Sequence, residues 1–227
     1  GTSAEFGNMV LYGKLLLWEE RHYAIGAGVG VTMPTADDVV LRDANGTDIV
    51  RVENESPHLM PYLGLVCTPD RQLFWQTMVQ FDIDTQGNGV SVSPFENGAY
   101  TGNLQFADRL RDKDLVYVDF SIGYWLYQGR RSSRFISGLA PIFEVHYNGA
   151  VNRGDALVTD AIRAPASASF DLVNAVAGAV VQFGGNVNMN LAYVTPIGGD
   201  EQFDGEFRMS LNWFFGPSAQ SYARYPF

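Results

Sequence analysis

The chain has a single cysteine, Cys67, among 227 residues. An internal disulfide is therefore excluded, and cysteine usage leaves the redox compartment open. Long hydrophobic runs are missing too. Nothing approaches the ~18 consecutive apolar residues of a membrane helix, and the longest candidate, LVNAVAGAVVQF, is interrupted by Asn174. The opening GTSAEFG shows no signal peptide and reads as a mature or truncated end. Charge is scarce at 18% of residues, and cations are scarcest: 15 Lys and Arg face 25 Asp and Glu, a net charge of -10. So acidic a chain has little with which to neutralise phosphates, which argues against nucleic acid as a partner. A helical period is absent as well.

What is present is alternation. Met9, Leu11, Leu15 and Leu17 alternate with Asn8, Val10, Tyr12 and Lys14. Ile25, Ala27, Val29 and Val31 alternate with Gly26, Gly28, Gly30 and Thr32. The same period of two runs through Trp75–Asp84, 116–126, 135–147, 187–193 and 206–213, and less cleanly through 57–68 and 168–183. Period two is the mark of a strand. The count is nine strands in one domain over 1–227, with 216–227 a short C-terminal tail. One face of each strand is apolar, with aromatics near its ends. The other carries Gly, Ser, Asn, Gln and charge.

Alternation alone does not say which face meets water. Two observations favour an apolar face on lipid. Most strands run ten to thirteen residues, whereas soluble strands are usually about five or six long and a tilted membrane strand needs about nine to eleven. The connections also alternate. EERH (19–22), TPDRQ (68–72), QGRRSSR (128–134) and GGN (184–186) are tight, whereas 35–56, 85–113, 148–167 and 196–204 are long. Short periplasmic turns and long extracellular loops belong to outer-membrane barrels. The expected fold is thus all-β, an antiparallel up-and-down transmembrane barrel. Nine strands put the two chain ends on opposite sides, so one or three strands are expected before Gly1, completing ten or twelve. A soluble barrel binding an apolar ligand is the alternative that turns the faces around.

One stretch imitates a metal loop. FDIDTQGNG places Asp82, Asp84, Gln86 and Gly87 at the spacing of an EF-hand. The twelfth position, however, is Ser93 where a bidentate Glu is needed, and strands flank it where helices should. It reads as a strand end running into a loop, and no metal or cofactor is expected. A short helix is expected around 104–111.

GNMVLYGKLLLW, AIGAGVGVTMPT, HLMPYLGLVCTPDRQLFWQTMVQFDID, ISGLAPIFEVHYN and FDGEFRMSLNWFFG resemble a group of outer-membrane barrels from planctomycetes and related Gram-negative bacteria. That group is broadly similar to FadL-like and phenol-degradation-pathway (MetA-type) transporters. Ala36 stands where the group often has Gly after Pro-Thr, and the chain continues past Phe215 to a terminal Phe227. The resemblance implies an outer-membrane location and says little about substrate.

The lumen candidates are Lys14, Asp82, Asp84, Tyr117, Asp119, Glu144, His146 and Arg208. A tight turn at 130–133 sets Asp119 opposite Glu144 and Tyr117 opposite His146. Two carboxylates so placed need a cation between them, which Arg208 or Lys14 could supply. The patch reads either as cation-selective and substrate-orienting, or as a charge ladder filling a narrow lumen, as side chains do in small barrels. Arg130, Arg131 and Arg134 read as solvated charge. Ser121, Glu144 and His146 share a face, but no residue is placed to orient a catalytic triad, so no enzyme is expected. The expected partners are outer-membrane lipid and a small molecule in the lumen. The expected role is a porin-like channel or transporter. A structural or adhesive barrel acting through its loops is the alternative.

Overall fold

The computed structural model describes residues 7–129, 135–158, 163–164, 169–184, 186–200 and 203–215. Arg130, Arg131, Arg134 and the tail 216–227 lie outside them. The described chain is all β. Its long strands are β1 (Met9–Glu19), β2 (Tyr23–Met33), β3 (His58–Cys67), β4 (Leu73–Asp84), β5 (Leu115–Tyr124), β6 (Ile136–Ala150), β7 (Asp171–Phe183), β8 (Val187–Gly199) and β9 (Glu206–Trp213). They pair antiparallel in chain order, forming one meander, with Tyr127–Gln128 added beside β6. All nine lie where the period-two pattern places them. No helix among the described residues is long and apolar enough to cross a membrane, which says nothing about crossing by strands.

Register fixes the faces, because a slip of one residue would turn every side chain over. Gly28 lies opposite Lys14 and Tyr62, Tyr62 opposite Gln80, Gln80 opposite Tyr117, and Asp119 opposite Met78. The polar and small residues thus share one face across the sheet. That face is the buried one: Ser121 is 6% and Asn174 7% exposed. The apolar face is open, with Leu15 65%, Leu63 54% and Phe143 48% exposed. Large aromatics are exposed near the tight turns: Trp18, Tyr23, Tyr124, Phe135, Trp213 and Phe215.

Glycines make room on the buried face. A Cβ on Gly30 would lie 2.6 Å from the Tyr12 ring, and one on Gly123 would lie 2.2 Å from the Phe74 ring. These rings therefore lie across bare backbone.

β1 and β9 are the outer strands of the sheet and do not pair with each other. Both are exposed along almost their whole length.

The long connections are not slack. Val39–Arg42, Asp48–Val52, Asn88–Val92 and Gln105–Leu110 form a second, four-stranded sheet over one end of the first. This corrects the helix expected around 104–111. Residues 105–110 find a partner strand in Asn88–Val92, with an irregularity between Phe106 and Asp108, and that pairing takes up their backbone groups. The buried apolar cluster of the molecule sits in this cap: Val90, Val92 and Leu157, flanked by Val50, Val52 and Leu110. Met60, Ala140, Leu172, Val176 and Val194 of the long sheet are buried as well, so cap and sheet both hold buried apolar residues.

Candidate functional site

The richest chemistry lies on the buried face of the β5–β6 hairpin. Asp119 stands opposite His146, Ser121 opposite Glu144, and Tyr117 opposite Asn148. This corrects the expected pairing of Asp119 with Glu144 and of Tyr117 with His146. The physical cause is the position of the turn: the pair nearest it is Gln128 with Gly138, three residues out of the register that a turn at 130–133 would set. Towards β4 the ladder runs on unbroken to Trp125, whose N–H donates to the Gln72 carbonyl at 2.8 Å, and the irregularity lies on the β6 side alone. Pairing then resumes at Tyr127 opposite Leu139, one residue out of step with the Gly123–Ile142 pair. The expected register is off by two, an even number, so every residue stays on its expected face.

The true register puts a histidine between the carboxylates. His146 Nδ1 lies 2.6 Å from Asp119 Oδ1, and Nε2 lies 3.1 Å from Glu144 Oε2. Ser121 Oγ donates to Glu144 Oε1 at 3.0 Å. With ionised carboxylates on both sides each ring nitrogen must donate, so the ring stands as an imidazolium. The group then carries two negative charges and one positive. The hydroxyl is bonded to a carboxylate and not to the imidazole, so the order of a Ser-His-Asp relay is not reproduced.

The cation that bridges the carboxylates is therefore His146, and neither Arg208 nor Lys14. Arg208 is on β9 and pairs with Glu206 of its own strand. Lys14 is on exposed β1, opposite Gly28. Tyr117 lies on the same face, opposite Asn148 and Gln80.

Asn174 is on the same face. It lies on β7 directly opposite His146, is buried, and its Oδ1 has no hydrogen-bond partner. Directly opposed side chains have Cβ atoms about 4.5–5.5 Å apart, so an orphan acceptor borders the charged group. The sequence shows this residue only as a break in an apolar run. A polar residue on the polar phase of an otherwise apolar strand was the signal to read.

A second group stands where the sheet meets the cap. His58 Nδ1 lies 2.7 Å from Asp82 Oδ1, and its Nε2 lies 3.7 Å from Asp112 Oδ2. They border a cavity of about 470 Å³ that Arg111, Lys113 and Asp155 also line. His58, Asp84 and Asp112 can each bring one ligand atom within 4.8 Å of the others. Asp84, however, serves the turn. Its Oδ1 accepts from Ser56 Oγ and from the N–H groups of Gln86 and Gly87, and its Oδ2 accepts from the Asp112 N–H at 2.6 Å. Gly87 has φ +74, and a Cβ there would meet the Leu110 carbonyl at 2.7 Å. FDIDTQGNG is thus a strand end locked to the cap by a buried aspartate. Asp82, its other acid, is held by His58.

Compared with known protein families and with curated proteins, the chain matches none.

Proposed function

We propose that this chain is the wall of an outer-membrane β-barrel whose polar lumen passes or binds small molecules. The observation that carries the reading is the inversion of faces. Side chains suited to a core are open to the surroundings, and side chains suited to water are covered. In water each exposed Leu or Phe forgoes about 1.5–3 kcal/mol of burial; on lipid it does not. Strands of up to fifteen residues are long enough to cross, and the exposed aromatics near the turns fit an interfacial girdle. Nine meander strands leave β1 and β9 running the same way. All-antiparallel closure therefore takes an odd number of further strands, making ten or twelve.

A second reading, a barrel that acts by binding a surface partner, is favoured by one feature. The cap has its own sheet and its own core, so it offers a shaped surface.

The test is heat-modifiability. The full-length protein is extracted from membranes in mild detergent and run on an SDS gel unboiled and boiled. A mobility shift, with no protein in the soluble fraction, supports the barrel. A protein that stays in solution without detergent and shows no shift sinks it. Bilayer conductance then separates passage from a purely adhesive role.

A further inference from the structure

Asp119, His146, Glu144 and Asn174 together make more than a filler. A ladder that merely fills space would satisfy its own polar atoms, because a buried acceptor left without a donor costs about 1–3 kcal/mol. Here Asn174 Oδ1 is left bare, beside a group that carries one negative charge in excess. The charged side chains remain reachable, between 22% and 30% exposed.

A solute that engages both features supplies an N–H or O–H donor to Asn174 and positive charge to the carboxylates. A neutral solute supplies only the first; a metal ion can bind an amide oxygen and carboxylates alike, but only where they converge on one point. His146 lies between the two acids, with a carboxylate on each ring nitrogen. That arrangement is poorly suited to a metal, whose ligands must converge on one point.

We infer that this patch selects small cations bearing N–H groups, primary ammonium ions above all. The inference rests on the reading of this face as a conducting lumen. The mouth at His58 carries acids together with Arg111 and Lys113, so it presents both signs. The choice of charge falls to the patch below it, where Asp119 and Glu144 outnumber His146.

The test uses the full-length protein in planar lipid bilayers. Under a KCl gradient, the reversal potential gives the preference for cation over anion. The expected wild-type result is cation selectivity, lowered at least threefold in the Asp119→Asn, Glu144→Gln double variant. The permeability of methylammonium relative to tetramethylammonium, which has no N–H, is then measured in wild type and in Asn174→Leu. Loss of one hydrogen bond worth about 1 kcal/mol predicts a drop of about fivefold. The heat shift confirms that each variant has folded, and the wild-type reversal potential needs no variant. Anion selectivity, or cation selectivity that the double variant leaves in place, overturns the inference while leaving the channel standing. Cation selectivity with an unmoved methylammonium ratio in Asn174→Leu overturns the ammonium preference. Absence of any conductance overturns the passage reading itself, and this inference with it.

Discussion

Replacing His146 with alanine removes the one cation between two acids. The oxygens at 2.6 and 3.1 Å sit on opposite ring nitrogens, which puts them roughly 7 Å apart. Two like charges at that distance repel by about 2 kcal/mol at an effective dielectric constant of about 20. Two charge-assisted hydrogen bonds, each worth about 1.5–3 kcal/mol when well protected, are lost as well. The side chains are 22–30% exposed, so water recovers part of both losses. The expected cost is about 2–4 kcal/mol. The assay is urea unfolding of the folded protein in detergent micelles, followed by tryptophan fluorescence. The diagnostic is a cycle with Asp119→Asn and Glu144→Gln. If the cost is electrostatic, His146→Ala should lose at least half its effect once both acids are neutral, a coupling of about 1–2 kcal/mol. A coupling below about 0.5 kcal/mol would refute the pairing. The loss would then belong to packing around the ring.

Three further outcomes are expected. Gly28→Val places a Cβ 2.3 Å from the Gly13 carbonyl and 2.4 Å from the Tyr62 hydroxyl; it should cost about 1–3 kcal/mol by overpacking, and an unchanged urea midpoint contradicts it. Asp70 accepts from the N–H groups of Leu73 and Gln72, each at 2.7 Å, and these bonds hold its carboxyl below the ordinary 3.8. A depressed carboxyl contributes stability above its unfolded pKa and loses it as pH falls through the folded one. The gap between wild type and Asp70→Ala should therefore be present at pH 7 and close below pH ~3.8; a gap that widens in acid reverses the sign and refutes it. Val90→Ala, at the centre of the cap, should cost about 1.5–2.5 kcal/mol of local stability. Limited proteolysis should then cut within 88–110 while the heat shift survives.

The long strands were legible because their period is strong and their length unusual. So were the two faces, since parity survives an even slip in register. The residue-by-residue pairing was not legible. It depends on where the hairpin turns and on the one-residue irregularity between Gly123 and Tyr127, and a turn drawn from residue types alone shows neither. The cap was missed for a different reason. Its strands are four to six residues long, and the link that joins them, Asp48–Val52 with Asn88–Val92, spans two distant connections. A run as short as Gln105–Leu110, irregular between Phe106 and Asp108, is too brief to show a period of either kind. Asn174 looked like an interruption because its meaning comes from the neighbour across the ladder, His146.

The cap and the sheet are held by different forces, and this orders their loss. Val90, Val92 and Leu157 bury apolar surface in the usual way, but they come from two connections far apart in the chain. Val50 and Val52 lie between β2 and β3, Val90 and Val92 between β4 and β5, and Leu157 between β6 and β7. They meet only when the hairpins beneath are in register, so the cap depends on the sheet. The sheet does not depend on the cap in return. Its ladders run strand to neighbouring strand, and its apolar face gains nothing from the loops. The locks at their junction include the Asp84 carboxylate on the N–H groups of Gln86, Gly87 and Asp112, the Asn88 Oδ1 accepting from the N–H groups of Glu55 and Ser56, and His58 with Asp112. Native-state hydrogen exchange in micelles should accordingly show the amides of 88–92 and 105–110 opening at lower denaturant than those of β5–β8. Asp84→Ala, which strips the bonds made by its carboxylate, should widen the interval. Simultaneous opening of both sets in the wild type and in Asp84→Ala would mean that cap and sheet form one cooperative unit, and that the long strands alone do not hold the register.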